Sequence, residues 1–262
     1  MSMTDVLVLR LSGPLQSWGG STRYNVRGTL SHPTKSGVIG LCASAMGWPR
    51  GTDLSALAEL QFGVRVDRPG KLLIDYHTMS AASHDPLNPR EQRLPTADGK
   101  SLKPGQSKVS RRYYLQDAVF VAALAGDRED QRELLQRIAA ALRTPRYPLY
   151  LGRRSCPPDK PVFISLLRDS AGLETVLREA IPWQVSAWRQ RPEDMSLALI
   201  LDQPDGEELL DDLPAKGGAP FNRKFTQRPV HHTAVKVQDL PTHQKAVGYG
   251  FTGDAAMDLL DG

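Results

Sequence analysis

Residues 32–48 read HPTKSGVIGLCASAMGW, and how this stretch folds decides how the rest of the chain is read. Thr34-Lys35-Ser36-Gly37 puts a hydroxyl, an amine and a glycine where a helix begins. The unpaired N–H groups and partial positive charge of a helix N-terminus suit an anion. After Ser36, the residues Val38, Ile39, Leu41, Cys42, Ala45 and Met46 recur at helical steps. Gly47 closes the helix, with Pro49 just beyond. The pattern is not a nucleotide-binding P-loop, which needs glycines ahead of its lysine where this chain has Leu30 and Thr34.

Working outward, 5–12 (DVLVLRLS) alternates as a strand and stops at Gly13-Pro14. A loop, 15–20 (LQSWGG), follows; its Trp18 either stacks on a base or packs at the edge of the core. Asp53 is placed to cap a short helix running through Leu60. Residues 62–66 and 72–76 read as the two strands of a hairpin around Asp67-Arg68-Pro69-Gly70. A further strand and helix complete the β-α-β-β-α-β order of a ferredoxin-like fold. They arrive late, because 79–108 has no apolar periodicity and is rich in Pro, Gly, Ser and basic residues. An insertion of that length is usually functional or disordered. Its flanks, 72–78 and 109–124, are expected to run out and back as a projecting hairpin.

An amphipathic helix is expected over 127–142, with Leu134, Leu135, Ile138, Ala139 and Leu142 on one side and Pro145 ending it. Residues 147–151 then read as a short strand, and 161–166 as another. A helix is expected near 173–180, and a strand at 196–201 running into an acidic loop. An extended segment follows at 223–237, then a short helix capped by Thr252 that runs through Leu260.

At 262 residues, 40% apolar and 24% charged, the composition is that of an ordinary globular protein. No apolar run approaches the roughly 18–20 residues that cross a bilayer. The N-terminus lacks a basic leader and cleavage site, so a cytoplasmic location without a membrane partner is expected. Cys42 and Cys156 are too few for a disulfide framework, and no cluster has metal-ligand spacing; His231-His232 reads as a loop or strand feature. No cofactor is expected.

Charge is unevenly spread around a net +4. Residues 90–112 carry Arg90, Arg93, Lys100, Lys103, Lys108, Arg111 and Arg112, and 143–160 carry Arg143, Arg146, Arg153, Arg154 and Lys160. Two basic segments offset by the acidic run 202–212 suggest a polyanion-binding face. Arg111-Arg112-Tyr113-Tyr114 suits RNA, since arginine pairs with phosphate and tyrosine stacks on unpaired bases. An edge strand with alternating faces accounts for the same four residues. In Tyr150-Leu151-Gly152-Arg153-Arg154, the glycine permits close approach by a ligand and the arginines supply forked phosphate donors.

Three motifs in order, Leu15-Gln16-Ser17-Trp18-Gly19, Pro33-Thr34-Lys35-Ser36-Gly37-Val38-Ile39-Gly40 and Tyr150-Leu151-Gly152-Arg153-Arg154-Ser155-Cys156-Pro157, resemble the CasD family of the RAMP superfamily, subunits of type I-E CRISPR Cascade. The resemblance covers roughly the first 160 residues. It implies an α+β fold: a ferredoxin-like (RRM-related) domain at 1–160 with a β-hairpin thumb at about 79–110. A smaller, mainly β C-terminal portion at 161–262 packs on it, with a degenerate second half left open.

The resemblance also implies a non-catalytic subunit that holds the 5′ handle of crRNA, with target DNA nearby. It implies thumb contact with the adjacent backbone subunit through Arg90, Arg93, Lys100, Lys103 and Lys108, and contact with the large PAM-reading subunit. The expected RNA-binding residues are Gln16, Trp18, Lys35, Ser36, Arg111, Arg112, Tyr113, Arg146, Tyr150, Gly152, Arg153 and Arg154. The alternative is a metal-independent endoribonuclease. That chemistry needs a base for the ribose 2′-OH and a cation or acid for the leaving oxygen. His32 with Lys35 and Tyr24, or His77 with Arg111 and Arg112, are the groups available for it.

Overall fold

The computed structural model describes residues 4–19, 25–80, 100, 102, 106–185, 194–215 and 225–242. In chain order the elements are β1 (Thr4–Ser12), β2 (Leu15–Gln16), β3 (Val26–Arg27), α1 (Lys35–Ala45), α2 (Ser55–Ala58), β4 (Gln61–Arg68), β5 (Lys71–Ser80), β6 (Ser107–Gln116), β7 (Val119–Gly126) and α3 (Glu129–Arg143). There follow β8 (Phe163–Ser170), α4 (Leu173–Thr175) running into a π-helical turn (Val176–Ala180), β9 (Ser196–Asp202), β10 (Glu208–Pro214) and β11 (Phe225–Lys236). The expected helix at 252–260 lies outside the described residues.

The main sheet has seven strands in the order β10-β11-β9-β4-β7-β1-β8, all antiparallel to their neighbours. Alternation along β1 sorts its side chains to two faces. Leu7, Leu9 and Leu11 meet α1 and α3 on one face, while Val6 and Val8 meet the α4 region on the other. Because both faces are covered, β7 (VFVAALAG) is buried at every position. The mixed α/β architecture with a large antiparallel sheet and few helices follows. The sheet also crosses the expected boundary at residue 160: β9 pairs with β4 through Gly63↔Leu201 and Arg65↔Leu199. Between β9 and β10 the chain passes over β11. Gly206 makes this crossing, since a Cβ there would lie 2.4 Å from the Val230 backbone.

Three local expectations are corrected. The chain does reverse at Asp67–Gly70, but β4 and β5 are not hairpin partners; β4 pairs with β7 and β9, whereas β5 pairs with β6. The turn therefore passes the chain from one sheet to another. The second correction concerns 147–151, which contains no strand, and the third 109–124, which is not one returning strand but β6 and β7, parted at Asp117 (φ +56°) and belonging to different sheets. The smaller sheet is centred on β6, with β5 along one edge and β2 and β3 on the other. The projecting hairpin is present: β5 and β6 pair without interruption from Lys71↔Gln116 to Ser80↔Ser107. Nearly all of β5 is exposed on both faces.

Candidate nucleic-acid interface

The three sequence motifs meet in space, and most of their residues hold one another. Gln16 is fully buried; its Nε2 donates to the carbonyls of Leu11 (3.0 Å) and Ala118 (2.8 Å), and its Oε1 accepts from Trp18 Nε1 (3.1 Å). Trp18 is equally buried and lies against Gly37 of α1, where a Cβ would approach the indole to 2.9 Å. Both side chains are therefore packing groups, which corrects their assignment to RNA. Gly152 has φ +89°, and a Cβ there would sit 1.8 Å from the Ser17 carbonyl oxygen. Its backbone approaches the chain's own Ser17 rather than a ligand.

Arg153, half-buried, is engaged within the chain. Its guanidinium donates to the carbonyls of Tyr113 (3.1 Å), Arg27 (2.8 Å) and Gly28 (3.2 Å) and lies 4.8 Å from the Tyr114 ring centroid. It binds the 152–156 turn to β3 and β6. Arg154 next to it is exposed. Replacing Arg153 with Ala is expected to lower the thermal midpoint, because the carbonyls of Arg27 and Gly28 lose the guanidinium and that of Tyr113 keeps only Ser17 Oγ, with each charge-assisted bond worth about 1.5–3 kcal/mol at most. Replacing Arg154 with Ala is expected to leave the midpoint within about 1 °C, as surface changes usually stay within ~0.5 kcal/mol. Parallel melting curves check both, and equal midpoints would remove the clamp.

Lys35 is also internal. Its Nζ lies 2.8 Å from Asp202, and its backbone N–H donates to Asp212 at 2.7 Å. Burial pushes its pKa below the ordinary lysine value, with Asp202 opposing. Arg228 bridges the two acids: it reaches both oxygens of Asp212 at 2.8 Å and also pairs with Asp202. Burial works against its charge, but the Asp212 hydrogen bonds and the two carboxylates keep its pKa above the ordinary value. The acidic run is therefore not simply a loop. Asp212 lies within β10 and caps α1, occupying the anion site that the helix N-terminus offers. Ser36 stays at the helix start, half-buried, 3.4 Å from the Thr34 hydroxyl. Thr34 itself accepts from the Gly37 N–H at 3.1 Å.

What remains open to a partner lies mostly on the small sheet. Cross-strand register places Val26, Arg111 and Tyr76 in one row of a face, with Tyr113 and Ile74 in the next. Val26, Ile74 and Tyr76 are 45%, 54% and 61% exposed, Arg111 is exposed and Tyr113 is half-buried. The opposite face pairs Arg112 with Arg27 and Asp75. The buried Nε of Arg112 has no hydrogen-bond partner among the described residues. β6 is thus the centre of this sheet and not an edge. Arg146 is exposed beside Gly47, and Tyr150 is half-buried. Of the thumb residues, Lys100 is exposed, Lys108 is half-buried opposite Met79, and Arg90, Arg93 and Lys103 lie outside the described residues.

Of the groups an RNA-cleaving reaction would use, His32 is largely enclosed. Desolvation lowers its pKa, and Asp212, Arg228, His232 and Glu208 face it. His77 is half-exposed, 3.9 Å from Asp75, and Tyr24 lies outside the described residues. His231 and His232 each pair with a glutamate, at 2.9 and 2.7 Å. Among the described residues no group of three His, Cys, Asp or Glu is arranged for a metal. Cys42 and Cys156 are free and buried, and burial pushes the Cys42 thiol up to about 12. No described helix is long and apolar enough to cross a membrane.

Residues 6–237 match the family described as CRISPR-associated protein (Cas_Cas5). The chain is 36% identical over 175 residues to the Escherichia coli (strain K12) protein "CRISPR system Cascade subunit CasD", covering 64% of this chain and 74% of that one. A chain from a solved "CRISPR RNA-guided surveillance complex" superposes with a TM-score of 0.71 at 33% identity, covering 93% of this chain and 98% of that chain. A "Crystal structure of Cas protein" gives 0.64 at 33% identity, with coverages of 90% and 97%. With 6–237 matched by the family and the structure superposing over nearly its whole length, the chain is a CasD-like member of the CRISPR-associated Cas5 family.

Proposed function

We propose that this chain is a non-catalytic, RNA-binding subunit of a type I-E Cascade complex that holds the 5′ handle of crRNA and caps that end of the assembly. The observation that carries the reading is the outward row of Arg111 and Tyr113 on β6 beside exposed Val26, Ile74 and Tyr76. Arginine for phosphate and tyrosine for stacking are the groups that single-stranded RNA needs. Arg112 and Arg154 add cationic reach. The strand order β8-β1-β7-β4, with α1 after β1 and α3 after β7, supports a ferredoxin-like unit of the RAMP type. In this reading β9, β11 and β10 extend that unit as a degenerate second half.

The thumb stem, with Leu72 61% exposed beside Ile74 and Tyr76, suits contact with the adjacent backbone subunit. The large PAM-reading subunit would sit at the same end of the complex, with target DNA close by. The internal engagement of Lys35 and the enclosure of His32 favour holding RNA over cutting it. A cytoplasmic site of action belongs to the same reading.

The test combines Arg111→Ala, Arg112→Ala and Arg154→Ala and measures binding of a handle-sequence RNA across a salt series. Three lost phosphate contacts should lower the log–log salt slope by about 2 and weaken binding on the order of 100-fold. Wild-type affinity and slope in the triple variant would overturn the site. Specific cleavage of repeat RNA by the purified chain in EDTA would instead establish the endoribonuclease.

A further inference from the structure

β5 pairs with β6 along its whole length, but the other edge of β6 is only partly covered. Among the described residues β2 takes Leu115 and Gln116 and β3 takes Arg111 and Arg112, which leaves Ser107–Ser110 open on that side. The face of β6 turned away from Arg111 and Tyr113 carries Ser110 and Arg112. Register puts His77 across from Ser110, and Asp75 and Arg27 on either side of Arg112.

Two polar groups on this face, Ser110 Oγ and Arg112 Nε, are buried with no hydrogen-bond partner among the described residues. Ser110 as a whole is 6% exposed. Native folds rarely leave such groups unsatisfied, and two of them at successive positions of one face call for a ligand. The described neighbours of Ser110 on this face are His77, Lys108 and Arg112, rotatable side chains on an open ribbon, so the hydroxyl is reached from the unpaired edge when they turn aside.

The chemistry of the face is mixed. Arg112 and Arg27 only donate, and suit phosphate oxygens. Asp75 sits across from Arg112 but makes its ion contact with His77, at 3.9 Å. A carboxylate in that place repels a second phosphate and accepts from a hydroxyl. Ser110 both donates and accepts. A ribose with its phosphate matches this set, because it carries anionic oxygens next to a hydroxyl that donates and accepts. Deoxyribose offers the anion alone.

We propose that this face of the thumb stem reads a ribose 2′-hydroxyl, with Ser110 Oγ hydrogen-bonded to it while Arg112 and Arg27 hold the adjoining phosphate. This rests on the reading of the chain as holder of the crRNA handle, and supplies the feature that separates RNA from DNA there. A strand that rounds the unpaired edge of β6 touches Arg111 and Tyr113 on one face and Ser110 and Arg112 on the other.

The full chain is tested by fluorescence anisotropy with a labelled handle-sequence RNA and with the 2′-deoxy strand of the same base sequence. Ser110→Ala is expected to weaken RNA binding roughly fivefold, the worth of one hydrogen bond, and to leave the deoxy strand unchanged. The free variant should melt no lower than wild type, since an unpartnered buried hydroxyl is removed. Arg27→Ala is expected to weaken both strands and to lower both log–log salt slopes by about 0.7. Equal losses for the two strands in Ser110→Ala would put the hydroxyl on phosphate, and unchanged RNA binding would take it off the strand; either result overturns the proposal. The two readings fail differently. A wild-type chain that binds both strands equally keeps the handle site and loses the 2′-hydroxyl contact, whereas a chain that binds no RNA loses both.

Discussion

Asp67→Ala is expected to lower the unfolding midpoint by about 10 °C, from a loss of roughly 3–5 kcal/mol when one partner of a buried ion pair is removed. Arg65 and Asp67 are both completely buried, and their side chains meet through two hydrogen bonds of 2.7 and 3.1 Å. The guanidinium also donates to the carbonyls of Leu177 (2.5 Å), Ile181 (2.8 Å) and Pro182 (2.8 Å), where the π-helical turn ends. The carboxylate accepts in turn from the Gln184 N–H at 2.7 Å. With Asp67 gone, a buried cation is left with neutral acceptors alone and a buried N–H with none. The pair also fixes the end of β4 just before the chain leaves for the thumb stem, so local opening should spread to Arg68 and Lys71. Thermal melting and amide exchange at 68–71 check this. A midpoint shift under 2 °C would mean that water replaces the carboxylate and that the pair is not the tie described.

The same pair shows what the sequence made legible. Arg65 and Asp67 are two apart in a strand and so share a face, a spacing that could have suggested an ion pair. The Asp-Arg-Pro-Gly turn between them and β5 hid it, because those four residues announce a reversal and say nothing of pairing. Burial is what separates the strands: β4 reads QFGVRVDR and is mostly enclosed, whereas β5 reads KLLIDYHTMS and is mostly exposed. Their apolar contents look alike in one dimension.

Charged residues failed for a related reason. Local reasoning sends Asp202, Asp212, Arg153 and Lys35 to solvent, where such side chains usually are. Their partners lie far along the chain: Lys35 meets Asp212 across 177 positions, and Arg153 meets Arg27 across 126. The periodic apolar segment α3 was legible because its signal is local, whereas β7, buried at every position, has no alternation to set it apart from β6 in the run 109–124. The motifs Leu15–Gly19 and Tyr150–Pro157 were recognisable for a reason that first looked functional and proves to be close packing. Gln16, Trp18 and Gly152 leave almost no room for other side chains.

The stretch 32–48 supports the last expected result. A helix start with Lys35, a capping Thr34 and nearby Arg228 is chemically an anion site, and Asp212 fills it. Asp212→Ala should therefore destabilise the chain by about 3–5 kcal/mol, since Arg228 and the α1 N-terminus lose their shared carboxylate. It should also create a site for an external oxyanion. Sulfate bound there at ten times its Kd would restore about 1.4 kcal/mol by mass action. Sulfate also stabilises folded proteins generally, so the relevant quantity is the midpoint gain of the variant beyond that of wild type at equal ionic strength. An excess gain that saturates with sulfate, and that chloride does not reproduce, is the expected outcome. Equal gains in the two proteins would mean that the space closes when Asp212 is removed, and that the helix N-terminus takes its negative charge from β10 alone.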